Sequence, residues 1–358
     1  MCGIVGIADP LNNFQDKKRL IKELNDSQFH RGPDDSGFYN DNFLSLGFRR
    51  LSIIDLEKGN QPIIKQNIVT IYNGEIYNFV QLRNELIELG AEFYSKSDSE
   101  VVANAFLFWG IDCLKKFDGM FAICFYDQNK KEIFLARDRM GIKPLHYTII
   151  NNTLFFSSEI LTLTKIPGFK KKINLNAVSS YLSFRYPIDD ENLFFKGIYR
   201  LENGSYIKFN LDRSLTPTKQ KFWDIPQNNN HFDNLNLSDY EEKLDNLLQS
   251  SVKNQLISDV PLGILLSGGL DSSLIASIAS KFKKQLNTYS VSFIEKNYDE
   301  SDKAKLVSNH IGSKHYDLKI DKNFFIENLQ TLIYIKGAPA SIPHEFALYC
   351  LFKEIKKE

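Results

Sequence analysis

The chain has 358 residues, too many for one ordinary hydrophobic core and suited to two domains of common size. Apolar residues make up 43% and charged residues 25%, the mix of a soluble globular protein, and 44 Lys plus Arg against 44 Asp plus Glu leave no global field for nucleic acid or an anionic membrane. No run of about 18 apolar residues and no secretory leader pattern is present, so a cytoplasmic protein with neither nucleic acid nor membrane as partner is expected.

Cys2, Cys113, Cys124 and Cys350 lie far apart with no Cys-x-x-Cys pair, which argues against a zinc site and a disulfide framework. The last three sit among apolar residues and read as inert core thiols. The histidines, including His310 and His315, show no ligand spacing.

Up to about residue 210 the sequence reads as short strands separated by turn residues, among them 68–72, 121–126 and 132–136. Two helices interrupt them, around 78–89 (Phe79, Leu82, Leu86, Leu89) and 98–108 (Val101, Val102, Ala105, Phe106), each with apolar residues at three- and four-residue steps. Sheets covered by helices, an α+β domain over residues 2–210, are expected. From 211 to 237 the chain turns polar and aperiodic, with Pro217, Pro226 and an Asn228–Asn230 run, and reads as a linker.

Residues 238–358 change character. A helix over 239–257 carries the stripe Leu244, Leu247, Leu248, Val252, Leu256. After it come strand 262–266, helix 271–283, strand 288–293, helix 301–311, strand 315–320, and helices 323–335 and 344–356. That alternation predicts a parallel sheet with helices on both faces, and strand 262–266 reads as buried on both. Three strands are few for such a sheet. The domain reads as unfinished, with Phe346, Tyr349, Phe352 and Ile355 of the last helix short of partners.

Two stretches carry chemistry. Once Met1 is removed, Cys2 would hold its own base, because an α-amine with a pKa of about 7.7–8.0 can take the thiol proton at neutral pH. A thiolate can then attack an amide carbon, and Asn73-Gly74 after a strand offers a side-chain amide and an open backbone N–H as oxyanion donors. The same dipeptide is also a common hairpin turn. The second stretch is an apolar strand running into Ser267-Gly268-Gly269 at a helix start, an anion site in the making. It is neither a P-loop nor a dinucleotide fingerprint.

Met1-Cys2-Gly3-Ile4, His30-Arg31-Gly32-Pro33-Asp34, Arg50-Leu51-Ser52-Ile53, Asn73-Gly74-Glu75-Ile76-Tyr77-Asn78, Ser97-Asp98-Ser99-Glu100, Asp118-Gly119-Met120-Phe121-Ala122, Arg137-Asp138-Arg139-Met140-Gly141-Ile142-Lys143-Pro144-Leu145 and Ser157-Ser158-Glu159 together resemble the ordered motifs of class II glutamine amidotransferase domains. The resemblance implies the N-terminal-nucleophile fold, an αββα sandwich, and glutamine hydrolysis. It makes Cys2 the nucleophile, Asn73 and Gly74 the oxyanion hole, Arg50 the clamp on the glutamine α-carboxylate, and Asp98 with Glu75 the acceptor of its α-ammonium. Leu51, Ser52, Ile53 and Ile54 complete the implied glutamine pocket. For Arg50 and Asp98 a surface ion pair is the alternative. The His30–Asp34 loop is expected as a lid or wall of the pocket, and Arg137, Asp138 and Lys143 as a buried charge network supporting the fold, with a catalytic use as the alternative.

Ser267-Gly268-Gly269-Leu270-Asp271-Ser272-Ser273 resembles the pyrophosphate loop of ATP pyrophosphatases. By that resemblance Ser267, Gly268, Gly269, Asp271, Ser272 and Ser273 belong to the pyrophosphate and Mg²⁺ neighbourhood of ATP, with Leu266 and Val291 flanking adenine and Asp271 as the Mg²⁺ candidate. Asp271 is alternatively a helix N-terminal charge partner. The two modules together are similar to the glutamine-hydrolysing asparagine synthetase family, which makes asparagine from aspartate, glutamine and ATP through β-aspartyl-AMP. That family's second acidic, glycine-containing motif is not in these 358 residues. Glutamine hydrolysis without asparagine synthesis is therefore expected of them. A different acceptor, a sugar or another acid, and a non-catalytic relative remain open, as does a homodimer.

Overall fold

The computed structural model describes residues 1–188, 193–212, 215–226, 236–294, 299–340 and 343–356. The chain divides into two compact units, Met1–Pro226 and Gln227–Glu358. The first contains, in chain order, β1 (Gly3–Ala8), α1 (Lys17–Asp26), β2 (Asp35–Asn40), β3 (Leu44–Arg50), β4 (Ile63–Lys65), β5 (Ile68–Ile76), α2 (Phe79–Glu88), α3 (Asp98–Trp109), α4 (Cys113–Lys116), β6 (Gly119–Asp127), β7 (Glu132–Arg137), β8 (His146–Ile150), β9 (Thr153–Ser157), α5 (Ile160–Leu163), α6 (Leu175–Phe184), β10 (Tyr199–Arg200), β11 (Ser205–Asn210) and β12 (Thr218–Lys221).

These strands form two antiparallel six-stranded sheets, ordered β10-β8-β9-β1-β3-β2 and β12-β11-β7-β6-β5-β4. A strand's side chains alternate between faces, and here both faces of each sheet are covered. Ile4, Ala8, Leu44, Leu46 and Phe48 of the first sheet meet Val69, Ile71, Ala122, Cys124 and Leu135 of the second in a common core. Val5 and Ile7 point the other way, onto Leu20, Ile21 and Leu24 of α1 and Leu163 of α5. Tyr72, Phe121 and Phe125 face Leu82 and Leu86 of α2 and Val102 and Phe106 of α3, with Phe106 and Phe125 stacked at 4.2 Å. The layers are helix, sheet, sheet, helix: an αββα sandwich.

Double coverage explains why β1, Gly-Ile-Val-Gly-Ile-Ala, shows no polar alternation although every residue of it is buried. Gly6 is required where the sheets meet, since a Cβ there would lie 2.1 Å from the Phe156 ring. Several expectations are corrected. Helices α1 and α6 stand where only strands were read, and β12 falls inside the presumed linker, paired to β11 as a wholly exposed edge strand. The Asn228–Asn230 run lies outside the described residues.

The second unit contains α7 (Leu237–Gln255), β13 (Gly263–Leu265), α8 (Leu270–Phe282), β14 (Asn287–Phe293), α9 (Ser301–Ile311), β15 (Lys314–Ile320), α10 (Lys322–Lys336) and α11 (Pro343–Ile355). Its strands are parallel in the order β13-β14-β15. Ile264 and Leu266 pack with Ala276 of α8 and Ala304 of α9, while Val291, Leu318 and Ile320 pack with Leu332 of α10 and Phe346 of α11. Strand β13 is only half-buried because it pairs on one side alone among the described residues, contrary to the reading of a fully buried strand. Leu244 and Leu247 of the α7 stripe are exposed. Phe346, expected to lack partners, is buried against Phe325 with ring centroids 4.3 Å apart.

Phe125 is fully buried in the layer between the second sheet and α3. Phe125→Ala should therefore destabilise the first unit by about 3–5 kcal/mol. Both tryptophans, Trp109 and Trp223, lie in that unit, so their fluorescence during urea unfolding reads the loss.

Candidate active site

One end of the inter-sheet core is a cleft of about 230 Å³ lined by Met1, Cys2, Arg50, Leu51, Ile53, Ile54, Asn73, Gly74, Glu75, Asp98, Lys143 and neighbouring apolar groups. Alternation along the strands puts these residues there. Leu44, Leu46 and Phe48 share a face with Arg50 at the end of β3, and Val69 and Ile71 share one with Asn73 on β5. Cys2 precedes β1 on the face of Ile4 and Ala8 and packs against the same core. Ile4 pairs with Phe48, which brings Cys2 beside the Arg50 end of β3.

The Cys2 sulfur accepts the Leu51 N–H at 3.4 Å and donates to the Leu51 carbonyl at 3.6 Å. Burial pushes its pKa up, opposed by the Leu51 N–H, the amino terminus and Lys143. Asn73-Gly74 is not a turn. It lies within β5, where Asn73 pairs with Ala122 and Gly74 with Phe121. Asn73 is 1% exposed and its Nδ2 has no partner, a buried donor left open. Neighbouring β4 ends its pairing at Thr70, so beyond it β5 has a bare edge. There the Tyr72 N–H is taken by Gln61 Oε1 (2.6 Å) and the Ile76 N–H by Asp98 Oδ2 (3.2 Å). Alternation turns the Gly74 N–H to the same edge, between them. A side chain at 74 would set its Cβ 2.1 Å from the Met120 carbonyl.

Arg50 is 5% exposed, and no carboxylate lies within ion-pair distance of it among the described residues. Its guanidinium is held by oxygens of the loop that follows: Nη1 donates to Leu56 O (3.1 Å) and Asn60 Oδ1 (2.6 Å), Nη2 to Asp55 O (2.5 Å) and Ile54 O (3.4 Å). Gly59 permits this wrap, since a Cβ there would lie 2.3 Å from Nη2. The alternative of a surface ion pair is thus overturned for Arg50.

Asp98 opens α3 and is 6% exposed, accepting from Tyr72 Oη (2.9 Å) as well as from Ile76 N–H. Burial raises its pKa despite these bonds. Glu75 is raised too, by burial and then by Asp98, with Lys143 opposing. The cleft therefore holds a buried cation bonded to neutral oxygens at one side and two carboxylates that burial disfavours at the other. A zwitterion carrying an amide would satisfy all three.

Ser52 does not line the cleft; its N–H is bound by Asp34 Oδ2 at 2.8 Å. Arg31 donates from Nε to the Cys2 carbonyl (3.0 Å) and from Nη1 to Glu159 (3.4 Å), which also meets His30 Nε2 at 2.7 Å. Arg31, Tyr72 and Gln61 went unnoticed as site residues, although the His30–Asp34 motif contains the first. Arg137 and Asp138 both bond to the main chain. Arg137 donates to the carbonyls of Gly141, Lys143 and Leu201, and Asp138 accepts the N–H groups of Phe121, Met140, Ile142 and Lys143. Both brace the 138–143 loop.

In the second unit, Gly268 has φ +77° and a Cβ there would lie 2.6 Å from Ala304 N, so the loop needs glycine. Ser267 Oγ and Ser272 Oγ are 2.9 Å apart, and Ser273 Oγ donates to the Gly269 carbonyl (2.7 Å). Gly269 supplies α8 no side-chain cap, which leaves first-turn N–H groups for another acceptor. Asp271 stands exposed in that turn. Leu266 is buried against Ala276 and Ala304, so its main chain rather than its side chain borders the loop. Val291, half-buried, lies on neighbouring β14.

Residues 1–223 match the family model described as a glutamine amidotransferase domain, and residues 243–358 the one described as asparagine synthase. The whole chain aligns at 34% identity with asparagine synthetase [glutamine-hydrolyzing] 1 of Bacillus subtilis and at 30% with asparagine synthetase 3 of the same organism, spanning 56% and 60% of their lengths. It is 33% identical, over all of its length and 72% of the relative's, to a putative asparagine synthetase [glutamine-hydrolyzing] 2 of Methanocaldococcus jannaschii. The chain belongs to the glutamine-hydrolysing asparagine synthetase family.

The two halves of the cleft should separate kinetically in glutamine hydrolysis. Asn73→Ala removes the open buried amide and, if that amide donates to an oxyanion, should lower kcat by about 10²–10³ with little change in KM. Arg50→Ala should mainly raise KM. An Asn73→Ala effect confined to KM would contradict the oxyanion role.

Proposed function

We propose that this chain hydrolyses glutamine at Cys2 and belongs to a cytoplasmic protein that passes the ammonia to aspartate activated by ATP as β-aspartyl-AMP, giving asparagine, AMP, pyrophosphate and glutamate. The open Asn73 Nδ2 beside a thiol, with a cation and two carboxylates placed for a zwitterion, carries the glutaminase half of this reading. Arg50 binds the α-carboxylate of glutamine, and Asp98 with Glu75 binds its α-ammonium. The Cys2 thiolate attacks the side-chain carbonyl carbon, and the resulting oxyanion accepts from Asn73 Nδ2 and Gly74 N–H. Collapse expels ammonia with a proton returned by the amine that took the thiol's. Water then cleaves the thioester, releasing glutamate and restoring the thiol.

The base is the terminal amine, which belongs to Cys2 only after Met1 is removed. In the unprocessed chain the Met1 amine is lowered to about 6 by burial first and by Arg31 and Lys143, with Cys2 and Asp34 opposing. The processed amine occupies the same neighbourhood. The synthetase half rests on the match of residues 243–358 and on the glycine loop. Gly268, Gly269 and the start of α8 would cradle the pyrophosphate of ATP, with Ser267, Ser272 and Ser273 alongside. Asp271, exposed in the first turn of α8, would offer a carboxylate to a Mg²⁺ carried with the nucleotide. Bound there, Mg²⁺ would neutralise phosphate charge.

Intact-mass measurement combined with glutamate release tests the first activity. The mature protein should begin at Cys2 and release glutamate, Cys2→Ala should release none, and Cys113→Ala, whose thiol is buried away from the cleft, should release as much as the parent. Full activity with Met1 retained would exclude the terminal amine of Cys2 as base.

A further inference from the structure

Lys143 is the last residue of the loop braced by Arg137 and Asp138, and its backbone is pinned on both sides: its N–H donates to Asp138 Oδ2 (2.9 Å) and its carbonyl accepts from Arg137 Nε (2.8 Å). Its side chain is 6% exposed and lines the cleft that holds Cys2 and Glu75. Among the described residues its ammonium has no hydrogen bond and no ion-pair partner. Burial lowers the pKa of this lysine, opposed first by Glu75 and then by Cys2 and Asp138, with Arg31 adding to the lowering, so a pinned backbone that delivers it into the cleft calls for a use.

Four of the other charged groups around the thiol have hydrogen bonds of their own. Arg31, from the turn Phe29–Arg31, holds the Cys2 carbonyl and Glu159. Arg50 of β3 holds loop oxygens, Asp34 holds the Ser52 N–H, and Asp98 of α3 holds Tyr72 and Ile76. Glu75 on β5 faces Lys143 across the cleft lining. We propose that the Lys143 ammonium is the positioning cation of the nucleophile, favouring Cys2 Sγ as thiolate. The sign is the right one, because a nearby positive charge favours S⁻. Lys143 opposes the upward push of burial on the thiol and lowers the amine. The reactive cysteine is thereby offset against its own apolar surroundings. This role rests on the glutaminase reading, but its test does not require turnover.

The rate of Cys2 alkylation by iodoacetamide, located by peptide mapping and followed against pH without glutamine, reads the thiolate directly. In Lys143→Met the midpoint should rise by about one pH unit, making alkylation at neutral pH about tenfold slower. Lys143→Arg should restore most of the rate. An unchanged midpoint in a Lys143→Met protein with native tryptophan fluorescence would overturn the proposal, and so would failure of a folded Lys143→Arg to restore it. Should Lys143→Met not fold, Lys143→Gln serves with the same expected shift. A parent protein that alkylates at Cys2 yet releases no glutamate would sink the glutaminase reading while leaving the Lys143 comparison valid.

Discussion

The two-residue period of a strand is the constraint on which the cleft depends. Along β3 and β5 the row of side chains facing the gap between the sheets is apolar until it reaches Arg50 and Asn73, and the row of β1 ends at Cys2. A shift of one residue in any of these strands would turn its polar terminus onto the helix-covered face. The core and the cleft are thus one structure: the packing of Ile4 against Phe48, and of Ile71 against Cys124, fixes where thiol, guanidinium and amide stand.

Electrostatics then decides what the cleft accepts. Burying charged and polar groups opposes folding, and this end of the core contains a partnerless Asn73 Nδ2, an Arg50 bonded to loop oxygens, and an Asp98 and Glu75 that burial drives towards protonation. The first unit tolerates them because two sheets and two helix layers supply the compensating apolar burial. A ligand bearing an α-carboxylate, an α-ammonium and a side-chain carbonyl relieves each of them. On the proposed reading, leaving any one group unmatched returns its cost.

Much of this was legible in the sequence, for specific reasons. Cys2, Arg50, Asn73 and Asp98 sit in short contiguous motifs, and the alternation of strand and helix after residue 262 made the second unit readable. Asn73-Gly74 was ambiguous because a dipeptide carries a local preference, whereas its place within β5 follows from pairing with β6, some fifty residues on. Edge strand β12, Thr-Lys-Gln-Lys, buries nothing and so leaves no hydrophobic pattern. In α1 the stripe Leu20, Ile21, Leu24 is short and embedded among lysines. That Arg137 and Asp138 serve the backbone while Lys143 faces the cleft is a matter of side-chain direction within one loop, which spacing does not encode.

The central claim is that the cleft is built for a zwitterionic amide. Isothermal titration of the Cys2→Ala protein with L-glutamine, and with the same molecule lacking its α-carboxylate, tests it most directly, because chemistry is blocked and only recognition is read. Binding of glutamine and no measurable binding of the truncated amide is the predicted result. Equal affinity for the two would contradict the assignment of Arg50 and, with it, this account of the site.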